Sequence, residues 1–200
     1  MNSKETIFQA TLELASEKGL GNVSLSQIAK KVGIQKPSLY SHFRSKEELI
    51  DGLYQYLRES ASKVNGNASV DYGKLVEGQN AYDVLIRAVE SYSRINADKN
   101  MRMFYRFIMS ERVFNKEAAK IMVTETEKMV LATKQLFYAM QVHKVMEFDN
   151  VDMAATLFAM AVHSLLDYQI DKEFTESADT SQQVAAFIDY FCKKYEVNLK

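Results

Sequence analysis

Apolar and polar positions alternate along this chain with the period of an α-helix almost from its start. Ile7, Ala10 and Leu14 recur at i, i+3 and i+7 behind Ser3, a residue suited to capping, and Gly19 and Gly21 end the run. Ser24 opens S-L-S-Q, a capping box in which Gln27 can reach back to the Ser24 amide. The short helix behind it puts Leu25, Ile28 and Val32 on one face and stops at Gly33. Pro37 suits a first helical turn, where its missing N–H had no intrahelical acceptor, and Leu39 and Phe43 give that third helix a buried side. Ser45 with Glu48 starts a fourth, amphipathic to about Lys63. A stretch rich in Gly and Asn follows from Lys63 to Asn80, with a turn of helix around 70–76. Helical patterns then resume at about 81–96, 98–110, 115–143, 150–171 and 179–197. Asn96-Ala97-Asp98, Asn115, Asp149-Asn150 and the stretch 177–181 supply the caps between them.

This pattern predicts an all-α fold of about nine helices. The seven Gly and single Pro all fall at or before Gly78, which leaves 122 residues with neither. A β-sandwich or barrel needs turns far more often than that. At 200 residues, 47% apolar and 26% charged, the chain is neither disordered nor fibrous. The helices centred on Ile28 and Leu39, joined by Gly33-Ile34-Gln35, have the size and turn chemistry of a helix-turn-helix. Neither is long enough to persist alone in water, so both need the first and fourth helices as a floor. The expected organisation is an N-terminal module at residues 1–50 and a helical body at 51–200.

Charge changes the picture locally. The net charge is −1, but residues 18–46 carry six bases and no acid. Such an excess suits a polyanion, and a plain solvated basic face is the other reading of it. Between the buried Ile28, Ala29, Val32, Ile34, Leu39, Phe43 and Leu49, the outward residues Lys30, Lys31, Gln35, Lys36, Ser38, Tyr40 and His42 carry the groups that meet phosphates and base edges.

The same stretch resembles the N-terminal domain of tetracycline-repressor-like (TetR family) one-component transcription regulators. The matching positions are Ile7, Ala10, Leu14, Gly19, Ser24, Ile28, Ala29, Gly33, Pro37, Ser38, Leu39, Tyr40, His42, Phe43, Ser45, Lys46 and Leu49. The likeness covers about residues 5–50. It implies a recognition helix at about 37–43, with Gln35, Lys36, Pro37, Ser38, Tyr40 and His42 at the major groove or its flanking phosphates. Ser24, Ser26 and Lys46 would contact the DNA backbone. Ala15 and Leu20 stand where the family usually has aromatics, and Gln35 replaces a frequent capping Ser. The implied function is a ligand-responsive repressor, released from a palindromic double-stranded operator by a small, mainly apolar effector. The alternative is a helical ligand-binding or scaffold protein whose N-terminal module does not read DNA.

Beyond the module, the run MAATLFAMAVHSLL is apolar almost all round and needs cover on more than one side. One side can be the chain's own core; the other calls for a partner, unless the helix is central in a monomer. The resemblance implies a homodimer whose last two helices form the interface. The candidate residues there are Met153, Leu157, Met160, Ser164, Leu165, Tyr168, Val184, Phe187, Ile188, Phe191 and Tyr195. Methionines and aromatics in the middle of the chain suit either core packing or an adaptable apolar pocket. Phe104, Phe107, Met129, Phe158 and His163 are the candidate pocket residues under the resemblance.

Catalysis has little support. His42, His143 and His163 fall in no metal-ligand spacing, there is no Gly-rich phosphate loop, and Cys192 lies in an amphipathic helix. No catalytic residue, cofactor or metal is expected. The longest uncharged run of the C-terminal half has 14 residues, too few to cross a bilayer. With one cysteine and no apolar leader, the expected location is the cytoplasm, without membrane contact.

Overall fold

The computed structural model describes residues 3–64, 70–97, 99–175 and 181–197. Among them it contains ten α-helices and no strand. These are α1 Ser3–Lys18, α2 Leu25–Val32, α3 Lys36–Tyr40, α4 Lys46–Val64, α5 Tyr72–Val76, α6 Ala81–Ala97, α7 Lys99–Glu111, α8 Lys116–Val142, α9 Val151–Thr175 and α10 Ser181–Lys194, with a 3-10 turn at Leu20–Asn22. The tenth is α5, where the sequence suggests only a turn; Asp71 caps it by accepting from the Lys74 N–H at 3.2 Å. Asn115 and Asn150 cap α8 and α9 as their side chains suggest, accepting from Glu117 N–H at 2.8 Å and Met153 N–H at 2.9 Å. The break expected at Asp98 and the caps expected over 177–180 lie outside the described residues. No helix among the described residues is long and apolar enough to cross a membrane.

The chain packs as two compact units. The first holds α1 to α4, α7 and the first turns of α8; the second holds α5, nearly all of α6, the rest of α8, α9 and α10. The unit around the helix-turn-helix therefore reaches past residue 50, because α4 continues as one helix and α7, distant in sequence, packs on α1. α1 is the centre of this unit. Ile7, Phe8, Ala10, Leu12 and Ala15 are all buried, so the helix is covered on several sides rather than along one stripe. Its buried polar residue, Thr11, is satisfied within the helix, donating to the Ile7 carbonyl at 2.7 Å. Ala15 and Leu20, the departures from the family's aromatics, are both buried here.

The second unit is built on aromatics from the later helices. Phe137 of α8 stacks on Phe148 at 4.7 Å between ring centroids; Phe158 of α9 meets Phe191 of α10 edge-on at 4.9 Å; and Tyr195 lies against Phe148 at 5.1 Å. Such pairs contribute about 0.5–1.5 kcal/mol each beyond the area they bury.

The turn between α2 and α3 depends on Gly33, at φ 82°, in the left-handed region. Its N–H and that of Ile34 both return to the Ala29 carbonyl, at 2.9 and 3.0 Å, closing α2 and redirecting the chain. A Cβ at Gly33 would meet no atom within 4 Å, so the cost of Gly33→Ala is that of the backbone conformation alone, about 1–2 kcal/mol. Urea unfolding of the variant should show that loss; an unchanged midpoint would mean the turn relaxes freely.

Candidate nucleic-acid interface

Ser24 caps α2 in the capping box expected from S-L-S-Q: the Gln27 N–H donates to its Oγ at 3.3 Å, and the Ser24 N–H donates to Gln27 Oε1 at 2.9 Å. The Ser24 Oγ–H remains available to an outside acceptor. Ile28, Ala29 and Leu39 are buried and fix the α2–α3 pair on the floor of the first unit. With those positions inward, Ser24, Ser26, Gln35, Lys36, Pro37, Ser38 and Tyr40 are exposed, while His42 and Lys46 are half-buried. Tyr40 is 46% exposed, high for an aromatic residue whose neighbour Leu39 is 1% exposed. The outward set is thus held on a rigid base with its polar ends in solvent.

Two details differ from expectation and a third, at Gln35, agrees with it. α3 ends at Tyr40 rather than Phe43: the His42 N–H folds back to the Leu39 carbonyl at 3.0 Å and the Ser41 hydroxyl donates to the Ser38 carbonyl at 2.7 Å, so the chain leaves the helix in a tight turn. Gln35 occupies the N-cap without a side-chain bond, as its replacement of a capping Ser suggests. At α4, Ser45 accepts from the Glu48 N–H at 3.1 Å, but the Glu48 carboxylate takes the Arg44 N–H, one residue upstream of the expected box.

The cations are not equivalent. Lys31 is paired with Glu13 at 2.8 Å, and that hydrogen bond raises its pKa. The Lys46 ammonium donates to the Leu20 carbonyl at 3.3 Å. Burial raises the Glu111 pKa, against opposing effects of the Leu20 N–H, donated to its carboxylate, and the nearby Lys46 charge. Leu20 is therefore held at both its N–H and its C=O, by α7 and α4. Lys30, Lys36 and Arg44 are exposed. Arg44 is not among the residues expected at the site, although the local excess of bases includes it, and Lys30 is expected to face outward but is outside the contact set that the resemblance implies.

The other candidates fall in several places. On α9, Met153, Leu157, Met160, Ser164 and Tyr168 are all exposed and, at spacings of three and four, share one stripe. Leu165 is half-buried. On α10 the expected residues face inward: Val184, Ile188 and Phe191 are buried in the chain's own core, and Phe187 and Tyr195 pack against it. The periodicity identifies an apolar face of α10, and that face covers α9 and α8 of the same chain; Tyr190, 66% exposed, is the large residue that α10 turns outward. Phe104 and Phe107 belong to the core of the first unit, whereas Phe158 belongs to that of the second. Met129 is half-buried on α8. His163 sits between Tyr92, whose hydroxyl is 3.4 Å from Nδ1, and Asp167, 3.7 Å from Nε2.

A short second helix turned by glycine into a third, exposed one on a buried floor defines a helix-turn-helix protein. Residues 7–53 match the family model described as bacterial regulatory proteins, tetR family. The nucleoid occlusion factor SlmA of Vibrio cholerae is 37% identical over 67 residues, 32% of this chain and 34% of that protein. The class A tetracycline repressor from transposon 1721 in Escherichia coli is 40% identical over 48 residues, 24% of this chain and 22% of that one. The chain thus matches about a third or less of the length of these curated relatives. Over nearly the whole chain, the fold is that of a protein from Mesorhizobium loti assigned to the TetR-family transcriptional regulators, with a TM-score of 0.68, 22% identity and coverage of 98% and 97%. The N-terminal domain is thus a tetR-family helix-turn-helix domain, and the likeness in fold continues to the C-terminus.

Cys192 is half-buried on α10, and burial, helped by the Asp189 charge, pushes its thiol pKa up to about 11 from 9.0. A raised thiol pKa means less thiolate near neutrality. At about pH 8 the thiolate fraction should be about a hundredfold smaller than for a thiol at 9.0. Alkylation by iodoacetamide should therefore run slower, roughly tenfold once the greater nucleophilicity of the thiolate is allowed for, and should accelerate steadily as pH rises toward 11.

Proposed function

We propose that the protein is a homodimeric, ligand-responsive transcription regulator that represses by binding a palindromic DNA site. The observation that carries this reading is the exposure of Gln35, Lys36, Ser38 and Tyr40 around α3 while Leu39 anchors the helix. Lys and amide groups suit guanine and adenine edges, and an aromatic ring suits the thymine methyl. Ser24, Ser26, Pro37, His42 and Lys46 complete the contact set, and Lys30 and Arg44 add charge beside it. Two such heads in a dimer would read half-sites about one turn apart, roughly 34–36 Å, or a multiple of that.

The exposed stripe of Met153, Leu157, Met160 and Tyr168 supports the dimer, and on α10 the aromatic residue that faces outward is Tyr190 rather than the buried ones. The effector is a small, mainly apolar molecule bound within the second unit, where Met129, Phe158 and His163 are the residues to meet it. Phe104 and Phe107 support the packing of the first unit instead. Coupling between effector and DNA of about 1–3 kcal/mol is typical of such proteins.

Genome-wide mapping of bound DNA tests the proposal: discrete palindromic sites are expected, and their absence would favour a helical ligand-binding or scaffold protein with a silent head. Lys36→Ala and Tyr40→Ala should alter sequence preference in a gel shift by about 1–3 kcal/mol, roughly five- to 150-fold. Lys46→Ala should weaken every duplex alike and lower the salt slope by about one. Equal losses on specific and random duplex from all three variants would exclude a reading role for α3.

Leu157→Glu places a charge in the middle of the α9 stripe. Sedimentation should then show a monomer, with operator affinity down by about a hundredfold or more because two linked heads no longer bind together. A variant that remains dimeric would remove α9 from the interface.

A further inference from the structure

Outside the helix-turn-helix face, the first unit carries a groove of about 700 Å³ between α1 and α4, with Glu117 at the start of α8 also in its lining. Its aromatic floor depends on a glycine. Phe8 lies 5.4 Å from both Phe43 and Tyr56, stacked on the latter. These rings reach the backbone of α4 because residue 52 has no side chain: a Cβ at Gly52 would come within 3.0 Å of Phe8 Cζ and 3.5 Å of Phe43 Cε1. The rim is acidic, with Glu5 on α1 and Asp51 and Glu59 on α4.

One further observation indicates what such a groove would hold. The Lys4 ammonium lies over the Phe43 ring, 5.4 Å from its centroid, so a cation of the chain itself already occupies an aromatic face there. Aromatic faces, surrounding carboxylates and a displaceable ammonium fit a positive, partly apolar molecule and disfavour an anion.

We propose that the groove between α1 and α4 is a binding site for a small organic cation bearing aromatic or bulky alkyl groups. It is a second ligand site, within the unit that carries the helix-turn-helix, and Lys4 is its internal placeholder. It does not depend on the effector site proposed above, and its test requires no DNA.

Isothermal titration of the full chain with tetraphenylphosphonium, and with tetraphenylborate as the same shape carrying the opposite charge, tests this. The cation should bind once per chain. The double variant Asp51→Asn/Glu59→Gln, at two exposed positions, should weaken it at least tenfold with the unfolding midpoint unchanged. Lys4→Met should tighten it severalfold by removing the competitor, while Lys193→Met, on α10, should leave it unchanged. Tetraphenylborate should show no dependence on the double variant. The proposal fails if the cation does not bind, if the double variant binds it as tightly as the parent, or if Lys4→Met weakens binding.

Discussion

A helix of five residues has no stability of its own in water, and one of eight has little. The helix-turn-helix consists of one of each, α3 and α2, so its geometry depends on the burial of Ile28, Leu39 and Phe43 against the floor that α1 provides. This burial explains why α1 departs from the single-stripe pattern of a surface helix: Ile7, Phe8, Leu12 and Ala15 must cover α2, α4 and α7 together. The capping box at Ser24 and the left-handed turn at Gly33 then set where α2 begins and ends. Both contributions are local, and neither would position α3 without the floor.

Most of the helices were legible in the sequence because their signals are local. The Ser24 box, Gly33, Asn115 and Asn150 act on backbone groups within a few residues, and the structure uses each of them. Other features depend on contacts that no local pattern contains. α3 stops at Tyr40 because Ser41 and His42 bond backward, although Leu39 and Phe43 have ideal helical spacing. α7 joins the first unit through contact with α1, far away in the chain.

The last two helices separate these two kinds of information. Periodicity identifies an apolar face on each but not what lies opposite. On α9 the expected stripe of Met153, Leu157, Met160, Ser164 and Tyr168 is exposed, whereas on α10 Val184, Ile188 and Phe191 are spent on the chain's own core. α9 has apolar residues around most of its circumference and so retains a second face after the core is filled; α10, more clearly two-sided, does not. Charge shows the same division. The sequence counts Lys31 with the basic excess, whereas the structure pairs it with Glu13.

The anchoring of α3 by Leu39 alone among its five residues separates what the helix needs in order to fold from what it presents. Lys36, Ser38 and Tyr40 stand in solvent, where substitutions usually change stability by less than about 0.5 kcal/mol. A lineage can therefore exchange them freely while Leu39 and Gly33 stay in place. One scaffold can thus present a new outward surface on α3 through single residue changes that cost the fold little.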